Sequence, residues 1–309
     1  MRERPRRRDV PVRKLIVLAL VGLVAQLIDG GLGMGYGATS STLLVLVGLT
    51  PLAASASVHF SELGTNLASG LSHWRLRNVD WPVVARIAGP GAVGAFVGAT
   101  VLSALSTEWA KPIMSIILAL LGLYIMVRFI LGIRPQLKKR LTTRFLAPLG
   151  LFAGFVDATG GGGWGPVATP ALLSGGRLEP RKVIGSVDTA EFGVSCAASL
   201  GFLVGIGVSG IHWGFALALL AGGLIAAPVA AYLIKIAPAH LLGVAVGGFI
   251  LLTNLRTIFG SFQVSGSARI PAYIVVLLLT ALGLYITALR RKRRTAAPTT
   301  DVALESVNA

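Results

Sequence analysis

The sequence has few charged residues and almost no cysteine. Charged side chains make up 13% of the 309 residues, about half the share found in an average soluble domain. The single cysteine, Cys196, excludes a disulfide framework and a cysteine-ligated metal site. No HExxH or GxSxG signature is present, and GLGMGYG lacks the Lys-Ser/Thr pair of a phosphate-binding loop. These absences argue against an enzyme, and we expect neither a cofactor nor a bound metal.

Hydrophobic residues are abundant, and the basic residues lie between the apolar runs. The hydrophobic share is 54% and the mean hydropathy is +0.78, so an integral, multi-pass membrane protein is predicted. Basic residues concentrate in 1–14, 134–144 and 290–294, the flanking pattern of cytoplasmic segments that contact lipid headgroups. The net charge of +16 therefore reflects topology, and nucleic-acid binding is not expected because no basic face interleaves with aromatic residues.

The lengths of the apolar runs predict an all-α polytopic membrane protein. A helical span needs about 20 residues, so the runs 15–28, 38–49, 145–158 and 166–176 are each too short. Each consecutive pair of these runs forms either one interrupted span or a re-entrant hairpin. About eight spans are predicted, with a range of seven to nine. The predicted division is a basic cytoplasmic tail (1–13), a first membrane half (14–132), a basic linker (133–144), a second membrane half (145–260), an extra C-terminal helix (261–289), and a basic and then disordered tail (290–309).

The two membrane halves carry the same glycine-rich motif. DGGLGMGYG at 29–37 is echoed by DATGGGGWG at 157–165, 128 residues later. Paired glycine interruptions in corresponding hydrophobic segments point to a transporter binding site. The small-residue runs 89–99 and 221–231 also correspond, and they favour close helix packing. Further matches are Pro51 with Pro180, Ser57 with Ser186, Glu62 with Glu191, and Trp81 with Trp213. Parallel and inverted repeats both fit this pattern.

Five carboxylates lie inside apolar segments. An ionised residue at a helix centre costs roughly 2.5–3.5 kcal/mol on insertion scales, so such residues face a cavity, pair or are protonated. Helical spacing places two polar stripes on single helix faces, one with His59 and Glu62 between Ser55 and Ser69, the other running from Asp188 to Ser199. We predict that the ion-coupling residues are Glu62 and Glu191, with His59, Asp188, Asp29 and Asp157.

The segments after the glycine runs are predicted to start as half-helices at Ala38 and Pro166. Their unpaired N–H groups and positive dipole ends would then point into a cavity and form an anion site. Hydroxyl groups in the first turns would supply further donors. The predicted substrate-binding residues are Gly30, Gly31, Gly33, Gly35, Gly37, Thr39, Ser40, Gly160, Gly161, Gly162, Gly163 and Thr169, with Ser41 as an additional donor.

The order of these motifs resembles the TauE/SafE family of sulfite and organosulfonate exporters. The resemblance rests on the doubled glycine-rich segments, Pro51 and Pro180, SVHFSE at 57–62, SVDTAE at 186–191 and NVDW at 78–81, and it covers roughly residues 13–289. It implies a bacterial inner-membrane transporter of small sulfur-containing anions such as sulfite, sulfoacetate or thiosulfate.

The leading hypothesis is a secondary transporter that moves a small sulfur-containing oxyanion across the plasma membrane, coupled to protons. A first alternative is a cation or metal permease in which the five carboxylates are direct ligands. Two others are an intramembrane enzyme that uses His59 and Glu62 as acid and base, and a scaffold that does not transport. The expected partners are a small anion and membrane lipid. The exact substrate, the direction of transport and a homo-oligomeric state are left open.

Overall fold

All regular structure in the described residues is helical. The computed structural model describes residues 11–32, 34–132, 141–174, 178–233 and 239–296, and within them it has eleven helices and no strand, which confirms the predicted all-α class. The helices are α1 (Val12–Leu32), α2 (Tyr36–Leu46), α3 (Pro51–Arg75), α4 (Trp81–Ala104), α5 (Thr107–Leu131), α6 (Thr143–Gly160), α7 (Trp164–Ser174), α8 (Pro180–Gly210), α9 (Trp213–Leu233), α10 (Ala239–Ser261) and α11 (Gly266–Ala296).

Capping residues and prolines explain where several helices begin. The Thr50 side chain accepts a hydrogen bond from the Ala53 N–H at 3.2 Å, directly before α3. The Asp80 carboxylate accepts one from the Val83 N–H at 3.1 Å at the start of α4. Proline opens both α3 and α8, and it fits the first helical position because the N–H that it lacks would have no partner there.

Long apolar helices identify a membrane protein. In the part of the chain that the structure describes, α4, α5 and most of α8, α10 and α11 are long and apolar enough to cross a bilayer. Large apolar side chains along them stay exposed on the protein surface, as expected of faces that meet lipid. α11 continues beyond the predicted apolar run through the basic residues 290–294 to Ala296. The total of about eight spans stays a prediction.

The helices pack in pairs that join the two halves of the chain. α1 lies along α9, α4 along α6 and α8, α3 along α8, and α5 along α10. Glycines allow the closest approaches: a Cβ atom on Gly222 would overlap the carbonyl of Ala19, and one on Gly94 would overlap the carbonyl of Leu151. Gly94 and Gly222 therefore pack closely against neighbouring backbones, as predicted from the small-residue runs.

The two glycine-rich interruptions meet in the interior. α1 ends at Leu32 and α2 begins at Tyr36, while α6 ends at Gly160 and α7 begins at Trp164. A Cβ atom on Gly37 would lie 2.6 Å from the Gly162 Cα, so the two backbones are in direct contact. Gly161 and Gly162 have φ angles of 72° and 147°, which glycine adopts without strain. This contact brings two segments 128 residues apart in the sequence to one place.

Candidate functional site at the two glycine breaks

A narrow cavity lies between the two breaks. The volume that can hold the centre of a water molecule is about 10 Å³, so the cavity has room for about one water molecule. Four carboxylates and the first turns of both α2 and α7 surround it. Its lining residues are Asp29, Met34, Gly35, Tyr36, Gly37, Ala38, Asp157, Gly162, Gly163, Trp164, Gly165, Pro166, Asp188 and Glu191.

The carboxylates that lead the two glycine runs cap the half-helices. Asp29 Oδ1 accepts a hydrogen bond from the Tyr36 N–H at 3.1 Å. Asp157 Oδ1 accepts bonds from the Gly163 N–H at 2.7 Å and the Trp164 N–H at 3.1 Å. A carboxylate is a favoured partner at a helix N-terminus because it satisfies free N–H groups and the helix dipole. Each carboxylate thus reaches seven residues ahead and fixes the first residue of a half-helix.

These caps change two predictions from the sequence. Both half-helices begin two residues earlier than the predicted Ala38 and Pro166, because the aspartate bonds allow the helix to start at Tyr36 and at Trp164. Free N–H groups at the starts of the half-helices were predicted to point into the cavity, and at Tyr36 and Trp164 these groups are instead bound by protein carboxylates. The spacing Asp-x6-Tyr and Asp-x6-Trp was the signal in the sequence that could have revealed the caps.

Substituting Asp157 should separate the capping role from the charge. In Asp157→Ala the buried N–H groups of Gly163 and Trp164 lose their acceptor, so stability should fall by about 1–2 kcal/mol. Asp157→Asn keeps an acceptor oxygen and should cost a smaller fraction of this. Thermal unfolding of both variants in the same detergent measures the difference. Equal midpoints for Asp157→Ala and wild type would rule out a stabilising cap.

A buried cluster joins α3 to α6. His59 Nδ1 lies 2.9 Å from Glu62 Oε2 and 3.9 Å from Asp157 Oδ2, and all three side chains are at most 1% exposed. The imidazole ring stacks on Phe202 with centroids 5.9 Å apart. Glu62 Oε1, Asp157 Oδ2 and His59 Nε2 have no hydrogen-bond partner in the described part of the chain. These are the residues that could hold a metal ion, since their ligand atoms lie within 4.8 Å of one another.

The two predicted polar stripes face each other along α3 and α8. Ser195 donates to Glu62 Oε2 at 3.2 Å, and Asn66 donates to Ser195 at 3.3 Å. Nearer the end of α3, Ser69 donates to Asp188 Oδ2 at 2.8 Å, and His73 Nε2 lies 3.4 Å from the same oxygen. The stripes therefore form one polar seam between antiparallel helices, and this seam leads to the cavity.

The structure places only some of the predicted substrate-binding residues at the cavity. Gly35, Gly37, Gly162 and Gly163 line it. The buried hydroxyl groups of Thr39 and Thr169 lie deeper in α2 and α7, without a hydrogen-bond partner in the described chain. The remaining predicted residues lie outside the cavity lining. They are Ser40, buried in α2; Ser41, which donates to the Gly161 carbonyl; Gly160, the last residue of α6; Gly161, which directly follows α6; Gly30 and Gly31 in the last turn of α1; and Gly33, which lies outside the described residues.

Two aromatic residues at the cavity were not predicted. The Tyr36 hydroxyl is 3.1 Å from the Ser61 hydroxyl in α3. Trp164 is fully buried and its indole N–H donates to the Val187 carbonyl at 3.0 Å. Each bond ties the first residue of a half-helix to the long helix behind it. In the sequence, the only sign of this role is the position of each aromatic seven residues after the leading aspartate.

A larger groove lies at the start of α4, away from the cavity. It is lined in part by Asp80, Arg86 and Leu141, and the Arg86 guanidinium donates to the Leu141 carbonyl at 3.2 Å. The groove is open and shares no lining residue with the cavity. The functional assignment therefore rests on the narrow cavity, where the buried charges lie.

An all-helical membrane protein with two glycine-interrupted helix pairs around a carboxylate-lined cavity has the architecture of a membrane transporter. The family model described as "Sulfite exporter TauE/SafE" matches residues 18–257. The chain belongs to this family, and the resemblance seen in the sequence is confirmed.

Two curated relatives are named as transporters. The chain is 49% identical over 275 residues to the "Probable membrane transporter protein YtnM" of Bacillus subtilis (strain 168), covering 88% of this chain and 90% of the relative. It is 25% identical over 193 residues to the "Probable membrane transporter protein YdhB" of the same organism, covering 61% and 77%. No solved structure matches this chain.

Proposed function

We propose that this protein is a secondary transporter that moves a small sulfur-containing oxyanion, of the sulfite, sulfonate or thiosulfate class, across the plasma membrane. The observation that carries the proposal is that the N-terminal turns of α2 and α7 line one cavity. Helix N-termini attract oxyanions through N–H groups and the helix dipole. The family description, which names sulfite, supports the choice of substrate class.

The donors that remain for the substrate lie just inside each half-helix. The first N–H groups of a helix have no partner within it, and the amides of Gly37, Ala38 and Gly165 occupy such positions at the cavity. Asp29 and Asp157 already bind the neighbouring amides. An entering oxyanion therefore binds beside these two carboxylates, or takes their place once their charge is compensated.

The carboxylates make the transport dependent on a cation. Asp29, Asp157, Asp188 and Glu191 line the cavity, and Glu62 lies behind Gly37, where a Cβ atom would be 3.2 Å from its Oε1. Ionised together, these groups repel an anion, so a cation must accompany it. The predicted coupling role of Glu62 and Glu191, assisted by His59, Asp188, Asp29 and Asp157, follows from this charge balance.

The helix order supports a two-repeat architecture. α2 and α7 are both 11 residues long, α3 and α8 both begin at proline, and α4 and α9 both begin at tryptophan. The pairing of α1 with α9 and of α6 with α4 is reciprocal. We therefore propose two membrane halves, 14–132 and 145–260, that each contribute one break. The basic tail, the basic linker and the end of the extra helix α11 would contact anionic lipid in the cytoplasm.

Flux into proteoliposomes tests this function. Purified protein is reconstituted, and uptake of radiolabelled sulfite and thiosulfate is compared with uptake of a panel of metal and alkali cations, with protein-free liposomes as control. We expect saturable oxyanion flux that responds to an imposed cation gradient. Cation flux without oxyanion flux would contradict the proposal and would make the carboxylates ligands of a transported cation.

A further inference from the structure

We propose that His59, Glu62 and Asp157 form a binding site for one divalent transition-metal ion of the Zn²⁺ and Mn²⁺ class. His59 and Glu62 lie one turn apart on α3, and Asp157 lies on the last turn of α6. The ligand atoms of the three residues lie within 4.8 Å of one another in a position closed to solvent. This metal site is proposed in addition to the binding site of the transported anion.

The distances suit a small metal ion. With metal–ligand distances near 2.1 Å, two ligands of a tetrahedral site are about 3.4 Å apart. His59 Nδ1 lies 3.9 Å from Asp157 Oδ2, slightly more than that value, and all the ligand atoms lie within 4.8 Å of one another, so a bound ion would draw them together. The imidazole nitrogen argues against Mg²⁺ and Ca²⁺, which take oxygen ligands, and favours a transition metal.

Hydrogen bonds from neighbouring residues hold both carboxylates in place. Ser195 donates to Glu62 Oε2, and Asn66 in turn donates to Ser195. Gly163 and Trp164 donate to Asp157 Oδ1. Each carboxylate keeps one buried oxygen without a partner, namely Glu62 Oε1 and Asp157 Oδ2. Oriented ligands with free acceptor atoms are typical of metal sites.

A divalent cation would also compensate the charge of the cluster. Two buried carboxylates with a protonated imidazole carry a net charge of −1, and with a neutral imidazole −2, and a buried uncompensated charge is costly. A divalent ion with two carboxylates and a neutral imidazole sums to zero. The cluster also borders the cavity, since Asp157 lines it and Glu62 Oε1 approaches Gly37.

The metal would help the oxyanion to bind, a consequence that rests on the proposed function. Three protein ligands leave one position open in a four-coordinate site. The positive charge of the ion lies beside the cavity that the half-helix N-termini line. An oxyanion entering that cavity would meet the metal as well as the helix dipoles, despite the surrounding carboxylates.

Metal analysis of the purified full chain tests the site. The protein is purified in detergent, its affinity tag is removed, and it is stripped with a chelator. It is then reloaded with Zn²⁺, Mn²⁺ or Co²⁺ and analysed by mass spectrometry for metal content. We expect one ion per chain, with Co²⁺ giving visible absorption bands. Glu62→Gln and Asp157→Asn should each weaken metal binding by at least about 100-fold. A residue that only orients a ligand would change the affinity by about 10–100-fold.

The control variant is Glu108→Gln, which removes an exposed carboxylate in the first turn of α5, and it should bind metal like wild type. If the ligand variants do not fold, Ser195→Ala should still lower the affinity about 10–100-fold. No stoichiometric metal in wild type, or equal binding in all variants, would overturn the site. Oxyanion flux is measured in parallel. Flux by a protein that binds no metal would contradict the metal site but not the transport function. Metal binding by a protein without flux would contradict the transport function but not the metal site.

Discussion

Replacing both Glu62 and Glu191 with glutamine is expected to abolish oxyanion flux while the protein still reaches the membrane. Glutamine keeps the size of the side chain and an acceptor oxygen for Ser195, which donates to Glu62 at 3.2 Å. What disappears is the negative charge that would hold a cation, whether the coupling ion or the metal proposed at Glu62. Because each 1.4 kcal/mol changes a rate tenfold, loss of two such groups should reduce gradient-driven flux by at least about 100-fold.

Flux per mole of reconstituted protein is the quantity to compare. The matched control is Glu108→Gln with Glu179→Gln, since both carboxylates are exposed and Glu179 pairs with the exposed Arg181 at 2.5 Å. Exposed pairs contribute little to stability, so this double variant should transport like wild type. Unchanged flux in Glu62→Gln/Glu191→Gln would remove both glutamates from the coupling mechanism.

Adding one methyl group at Gly37 should also stop transport. Gly37 lies inside α2, where alanine is ordinarily preferred to glycine by about 1 kcal/mol. Here the new Cβ would lie 2.6 Å from the Gly162 Cα and 3.1 Å from the Gly161 carbonyl oxygen. Backbone atoms cannot move aside as a flexible side chain can, so the two breaks must separate. We expect Gly37→Ala to lower flux at least tenfold and to lower the free energy of unfolding by an amount typical of overpacking, about 1–3 kcal/mol.

Gly193→Ala is the matched control for this substitution. Gly193 also lies inside a helix, α8, and a Cβ atom there would meet nothing within 4 Å. The alanine should be neutral or stabilise the helix by up to about 1 kcal/mol. Thermal unfolding and flux are measured for both variants under the same conditions. Full activity in Gly37→Ala would show that contact between the two breaks is dispensable.

Much of the fold could be predicted because lipid restricts the backbone so strongly. Apolar runs in a bilayer form helices, and the interruptions at 29–37 and 157–165 are visible as glycine-rich breaks. Pro51 and Pro180 mark the starts of α3 and α8. The exact first residues of α2 and α7 were missed, because a carboxylate seven residues earlier fixes each one. Hydrophobic periodicity does not report that bond, which only the repeated spacing from aspartate to aromatic residue could have indicated.

The candidate site could be predicted only within single helices. Spacing along α3 places His59 and Glu62 on one face, and spacing along α8 does the same for Asp188 and Ser195. The contact of His59 with Asp157 depends on how α3 packs against α6, and no local pattern encodes that register. The predicted donors Thr39 and Thr169 are buried beyond the cavity lining, because each half-helix starts two residues earlier than expected.

Equilibrium binding of radiolabelled sulfite to the purified protein tests the central claim most directly, with thiosulfate and sulfonates as competitors. If both glycine breaks form one site, binding should saturate at one anion per chain. It should be lost in Gly37→Ala and equally in Gly162→Ala, where the new Cβ would overlap the backbone of Gly37 and Ala38. Binding of two anions per chain, with one retained in each variant, would contradict a shared site. So would the absence of any sulfite binding that thiosulfate or sulfonates displace.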